Sequence, residues 1–149
     1  MLLDVVLAWL HFLCIFFLVS TLVAELVLYR QRMDRFRLEQ LRRVDTLFGI
    51  SAVLVIISGI LRVTLGLKGA AFYMHNPFFW TKMALFLAVG LLSIPPTVHY
   101  LRLKPASDGA GSVEIPPRAF RATWTFLSCE IVLLALIPFF ATMLAHGYQ

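Results

Sequence analysis

Apolar residues in this chain gather into four long runs, at 2–29, 44–65, 77–101 and 118–145, and the stretches between them hold most of the charge. Each run has about the 20 residues or more that a helix needs to cross roughly 30 Å of hydrocarbon. Within a bilayer only helices and closed barrels satisfy every backbone polar group, and the short alternating strands of a barrel are absent. The pattern predicts an all-α, polytopic membrane four-helix bundle, one transmembrane domain covering 1–149. Local signals support these ends. Asn76-Pro77 offers an N-cap followed by proline at the first helical position, and Pro116-Pro117 can open the fourth span in the same way. Gly66 and Gly69 can close the second span. Pro95-Pro96 and Pro138 fall inside spans and should kink them.

Polar residues within a span are costly and turn toward protein. In the first span Asp4, His11, Cys14, Thr21 and Glu25 recur at three-, four- and seven-residue steps, which places them on one stripe. The second span carries a matching stripe of small residues at Gly49, Ala52, Gly59 and Gly66, the pattern of a close packing seam. Beside it runs a second stripe with Ser51, Ser58 and Arg62. The third span begins with Phe78, Phe79, Trp80 and Lys82, an interfacial aromatic belt with a lysine one turn in. Glu130 lies near the middle of the fourth span, where a carboxyl must be protonated, paired or beside water. A partner from the first or second span, such as Thr21 or Ser58, or a buried water is expected. Counted by depth, His11, Arg62, Lys82 and Met83 collect toward one side, and Glu25, Asp45, His99 and Arg121 toward the other, with Glu130 between.

Composition agrees with this pattern and sets the orientation. The chain is 149 residues, 60% apolar and 14% charged, against about 25% charged in a typical soluble domain. Its net charge of +5 does not indicate nucleic acid, because the positive residues lie between the spans. Ten of the 13 lysines and arginines fall in 30–43 and 101–121, and only Arg62, Lys68 and Lys82 fall toward the opposite side. The positive-inside rule then puts the two basic segments in the cytoplasm and both termini outside, which is the periplasm if the membrane is the inner membrane of a Gram-negative bacterium. The stretch 106–115, rich in Gly and Ser, is expected to be a flexible loop. Cys14 and Cys129 both lie inside apolar runs and form no CxxC or Cys/His set, so neither a disulfide framework nor a zinc site is expected.

Catalytic signatures are absent: no phosphate-binding glycine loop, HExxH or nucleophile triad is present. An intramembrane histidine on a polar stripe is the strongest chemical feature, since helical bundles hold haem between facing helices. His11 and His99 differ by roughly 13 residues of depth, about 20 Å, which disfavours bis-histidine ligation within one chain. Met83 is level enough with His11 to be a sixth ligand. The Arg43-Val44-Asp45, Ser58-Gly59-Ile60-Leu61-Arg62 and Phe79-Trp80-Thr81-Lys82 segments resemble those of an uncharacterised bacterial family of predicted four-span membrane proteins. His11, Trp80-Thr81-Lys82, Phe120-Arg121-Ala122 and Glu130-Ile131-Val132-Leu133-Leu134 are distantly similar to the four-helix membrane protoporphyrinogen oxidase and the membrane domain of copper resistance protein D. That resemblance implies a haem b or porphyrin site using His11, with Arg62 and Lys82 near its carboxylates. The chain departs from the oxidase where Tyr29-Arg30 stands in place of a further histidine.

A haem- or porphyrin-binding redox protein is therefore the leading expectation. His11 would be the metal ligand in a cavity opening outward, and Arg62, Lys82 and Met83 would complete the cofactor site. Two alternatives stand beside it. One is a non-enzymatic assembly or stabilising subunit, as a homodimer or within a larger membrane complex. The other is proton or solute handling through Glu25 and Glu130.

Overall fold

A computed structural model of the chain describes residues 1–67, 69–105 and 111–145. Lys68, His146 and the 106–110 part of the expected flexible loop lie outside the described residues. Four long helices dominate: α1 (Leu2–Leu28), α2 (Arg35–Leu65), α4 (Pro77–Arg102) and α5 (Pro117–Ala145). All four are long and apolar enough to cross a membrane. A short helix α3 (Gly69–Met74) joins α2 to α4. α1 packs along α2 and α4 along α5, and the two pairs meet less extensively through α1–α5 and α2–α4.

The helix ends follow capping chemistry. The Asn76 side chain accepts from the Phe78 amide at 2.9 Å and Pro77 takes the first turn of α4. α2 ends at Gly66, and α5 opens at Pro117. The start of α2 differs from the hydropathy boundary. Asp34 is its N-cap, accepting from the Arg37 amide at 2.8 Å, so the helix begins at Arg35 and not at Val44. Nine additional residues carry it roughly 13 Å past the apolar run. Arginines hid this extension from a hydropathy reading, although Leu38 and Leu41 hold the helical spacing of Phe48 and are buried with it.

The extension helps build a cap over one end of the bundle. β1 (Arg32–Met33) pairs antiparallel with β2 (Val113–Glu114), and the Ile115 amide donates to the Gln31 carbonyl at 2.9 Å. Met33, Val113 and Ile115 are buried beneath this ribbon, so the 113–115 part of the loop is ordered. Gly111 leads into it at φ +59°, a left-handed conformation suited to glycine. Exposed Arg32 and Glu114 form an ion pair at 3.0 Å across the ribbon. This cap, flanked by the arginine-rich segments, is called the basic end below.

Two faces can be compared with their expected ones. On α1, His11, Thr21 and Glu25 are buried and Asp4 and Cys14 half-buried, whereas Val6, Phe12, Phe16 and Val23 are exposed, so the polar stripe faces protein. On α2 the buried face is Phe48, Ser51, Val55 and Ser58. The small-residue stripe lies at its edge: Ala52 packs on the core and Gly59 meets His11, but Gly49 is exposed and a methyl group there would meet no neighbour. The serine stripe next to it forms the packing seam, because the serines bond back to their own helix and bury without a loose donor. Ser51 donates to the Phe48 carbonyl at 2.7 Å and Ser58 to the Val55 carbonyl at 3.1 Å.

Candidate functional site

Two polar clusters lie inside the bundle. The one nearer the basic end is built on four helices. α1 contributes Glu25, α2 Asp45, α4 Thr97 and Tyr100, and α5 Glu130. Thr97 Oγ1 donates to Asp45 Oδ1 at 2.7 Å, which tethers α4 to α2. Glu25 is 2% exposed and Glu130 is 1% exposed. Asp45 and Glu130 are both within electrostatic range of Glu25, and Asp45 is within range of Glu130. Glu25 Oε1 and both carboxyl oxygens of Glu130 are buried without a hydrogen-bond partner among the described residues. The Tyr100 hydroxyl lies beside Glu25, too loosely to form a hydrogen bond of ordinary geometry, and is itself buried and unpartnered. No salt bridge joins Glu25, Asp45 or Glu130 to a cation among the described residues. Nor, among those residues, does any group of three His, Cys, Asp or Glu side chains come close enough to hold a metal ion.

An aromatic layer closes the cluster toward the basic end. Tyr29, at the C-cap of α1, is fully buried. Its ring stacks on Phe120 with centroids 5.1 Å apart and meets Tyr100 at 5.6 Å. The Tyr29 hydroxyl and His99 Nε2 are hydrogen-bonded at 3.2 Å. His99 is half-buried, so it reaches the boundary of the protein. Arg42 braces the layer from α2: its Nε donates to the Tyr100 carbonyl at 2.9 Å and its Nη2 to the Leu103 carbonyl at 2.7 Å.

The second cluster surrounds His11. Its Nδ1 and Ser58 Oγ are 2.8 Å apart. Because Ser58 donates to the Val55 carbonyl, its oxygen accepts from a proton on Nδ1, which leaves Nε2 as the acceptor nitrogen. The ring packs against Gly59, where a methyl group would sit 3.4 Å from Cε1. Arg62, one turn beyond Ser58, and Lys82 are both within electrostatic range of His11. Asp4 Oδ1 accepts from the Leu67 amide at 3.3 Å and so ties α1 to the chain just past α2. Between the two clusters each helix contributes a buried apolar residue: Leu18, Val55, Val89 and Leu134.

The structure thus brings His11, Arg62 and Lys82 together as the spacing predicted. Met83 is not part of that group. It is 40% exposed, because successive helix residues are rotated by about 100° and Lys82 takes the inward direction. Glu130 has neither Thr21 nor Ser58 as partner. Thr21 donates to the Leu18 carbonyl at 2.8 Å, Ser58 is engaged by His11, and Glu130 joins Glu25 and Asp45 instead. Tyr29, Thr97 and Tyr100 were missed as site residues. Their signal was present, since Thr97 and Tyr100 are three apart on one helix face, but hydroxyl groups near a span end read as interfacial anchors.

A haem needs open space beside its ligand. His11 is 8% exposed and seated in the α1–α2 seam. Two cavities are described elsewhere: one of about 770 Å³ lined by Leu92, Phe120, Trp124 and Val132, and one of about 370 Å³ lined by Arg35, Leu38, Glu39 and Arg42. Neither of these two is lined by His11.

Residues 3–149 match the family described as "Predicted membrane protein (DUF2214)". The chain belongs to that family. DUF2214 membership agrees with the four membrane-length helices, and the chain is a multi-pass membrane protein embedded in a lipid bilayer. No curated protein and no solved structure gives a significant match. The resemblance to the protoporphyrinogen oxidase and to copper resistance protein D accordingly finds no support, and a haem or redox role for this DUF2214 chain has none from these comparisons.

Proposed function

We propose that the chain handles protons within the membrane, with Glu25, Asp45 and Glu130 as a proton-binding centre reached from the basic end. The observation that carries this reading is Glu130, 1% exposed, in electrostatic contact with two further acids and, among the described residues, with both oxygens unpartnered and bridged to no cation. Burying an isolated carboxylate costs several kcal/mol, and a second charge nearby adds to that cost. The trio therefore holds protons at rest and can release one only when a path to water opens. Tyr100, Tyr29 and His99 supply hydroxyl and imidazole groups between the acids and the boundary at the basic end. The apolar layer of Leu18, Val55, Val89 and Leu134 supports access from that end alone in this conformation. Proton passage across the whole membrane then requires the layer to part.

Proteoliposomes containing the full chain and an internal pH-sensitive dye test the proposal. Under an imposed potential they should take up protons faster than empty liposomes. Glu130→Gln and Glu25→Gln, near-isosteric and uncharged, should fold normally and reduce the rate about tenfold or more, the effect of removing a proton carrier from a relay. Flux equal to that of empty liposomes would overturn the proposal in favour of an assembly or stabilising subunit. A Soret band in the purified protein that His11→Ala abolishes would overturn it in favour of the haem reading.

The ten-to-three distribution of lysine and arginine supports a cytoplasmic basic end. Single cysteines at exposed Arg35 and Leu67 should therefore react with an impermeant thiol reagent from opposite faces in a background lacking Cys14 and Cys129, Leu67→Cys from outside. The reverse labelling would show that protons enter from the outer face.

A further inference from the structure

Arg62 and Lys82 are cations within membrane-length helices, and neither forms an ion pair among the described residues. They lie within electrostatic range of each other and of His11. Arg62 Nε is buried and has no acceptor among the described residues. Lys82 Nζ lies 5.6 Å from the centre of the Phe79 ring, a contact that holds the ammonium on the protein side. Two like charges held together with an unsatisfied guanidinium donor require an anion to complete them.

Depth and surroundings identify its chemistry. Arg62 is three residues before the end of α2 and Lys82 is the sixth residue of α4. Both therefore sit within about two helical turns of the rim opposite the basic end, at the level where headgroups meet acyl chains. Trp80, 52% exposed, donates its indole N–H to the Met74 carbonyl at 3.0 Å, and Tyr73 packs on Phe79. Such aromatics mark an interface. Exposed Leu61 and Leu65 flank Arg62 in the sequence and offer apolar surface toward the bilayer. A guanidinium fork together with an ammonium point charge matches the several acceptor oxygens of a phosphate.

We propose that Arg62 and Lys82 form a binding site for a phosphate-bearing anion at the rim where α2 ends and α4 begins, beside the α1–α2 seam locked by His11 and Ser58. The phosphate comes from an anionic lipid headgroup or from free phosphate. The site is separate from the acid cluster and stands whether or not that cluster moves protons.

The full chain in neutral detergent is titrated with dihexanoylphosphatidylglycerol, dihexanoylphosphatidylcholine or inorganic phosphate. Native mass spectrometry counts adducts and thermal unfolding reports stabilisation. The anionic lipid or inorganic phosphate should bind and stabilise, and the phosphatidylcholine should not. Stabilisation by the lipid alone assigns the phosphate to a headgroup, and equal saturation by inorganic phosphate assigns it to the free ion. Arg62→Gln with Lys82→Gln should weaken binding about tenfold or more, and Arg62→Lys should retain most of it. Lys104→Gln, at the other rim, should leave it unchanged. If the double variant does not fold, Lys82→Gln alone should weaken binding about threefold or more. Undiminished binding by the folded charge-removing variant, equal binding of phosphatidylcholine, or binding of neither anion would overturn the proposal.

Discussion

Replacing Tyr29 by alanine should destabilise the protein by about 3–5 kcal/mol, the range for removing a buried aromatic ring. The ring is fully buried outside the membrane-length segment, stacked on Phe120 and packed edge-on against His99, with Tyr100 beside it. It thereby ties the end of α1 to α4 and α5 where the two helix pairs otherwise meet sparingly. In the bilayer core, apolar burial contributes little to helix association, because lipid is as apolar as leucine. Contacts in this layer therefore weigh more than equivalent ones at mid-membrane. Tyr29→Phe keeps the ring and loses only the hydrogen bond to His99, at a cost of about 1 kcal/mol. Unfolding in mixed micelles titrated with dodecyl sulfate measures both. Equal stability of Tyr29→Ala and wild type would show that the aromatic layer does not join the two helix pairs.

Arg42→Ala should cost about 2–4 kcal/mol, since a charged hydrogen bond contributes more than a neutral one. The last carbonyls of a helix have no partners within it and carry partial negative charge. Arg42 reaches across from α2 to satisfy those of Tyr100 and Leu103 at 2.9 and 2.7 Å, with Leu101 at 3.3 Å. Lysine at this position keeps the charge and loses the planar fork, so Arg42→Lys should fall between alanine and wild type. Arg37→Ala is the control, because Arg37 is exposed on the same helix. The same micellar titration separates them. A loss at Arg42 no greater than that at Arg37 would mean that water satisfies the end of α4 equally well. Tyr100 sits at this end and beside Glu25, so loss of the clamp should also slow proton uptake.

The sequence by itself determined the membrane class, the four helices and the inward stripe of α1. Those follow from local chemistry. A run of about 20 apolar residues has one stable form in hydrocarbon, and Asn76-Pro77 caps a helix whatever lies around it. His11, Arg62 and Lys82 could be grouped by depth for a similar reason: rise per residue is constant, so position along a helix is readable before packing is known. Rotation about the helix axis and pairing between helices are not readable in that way. On α2 the small-residue stripe was the expected seam, and only the contact with α1 put Ser58 against His11 and left Gly49 exposed. The extension of α2 back to Arg35 is held by the Asp34 cap and by burial of Leu38 and Leu41 in the core, neither of which a hydropathy boundary shows. Glu130 was legible as an acid needing neutralisation, but its company was not. Glu25, Asp45, Tyr100 and Glu130 come from four different helices, and tertiary structure alone decides which helix faces meet. That decision set the expected acid of the fourth span within a cluster of three.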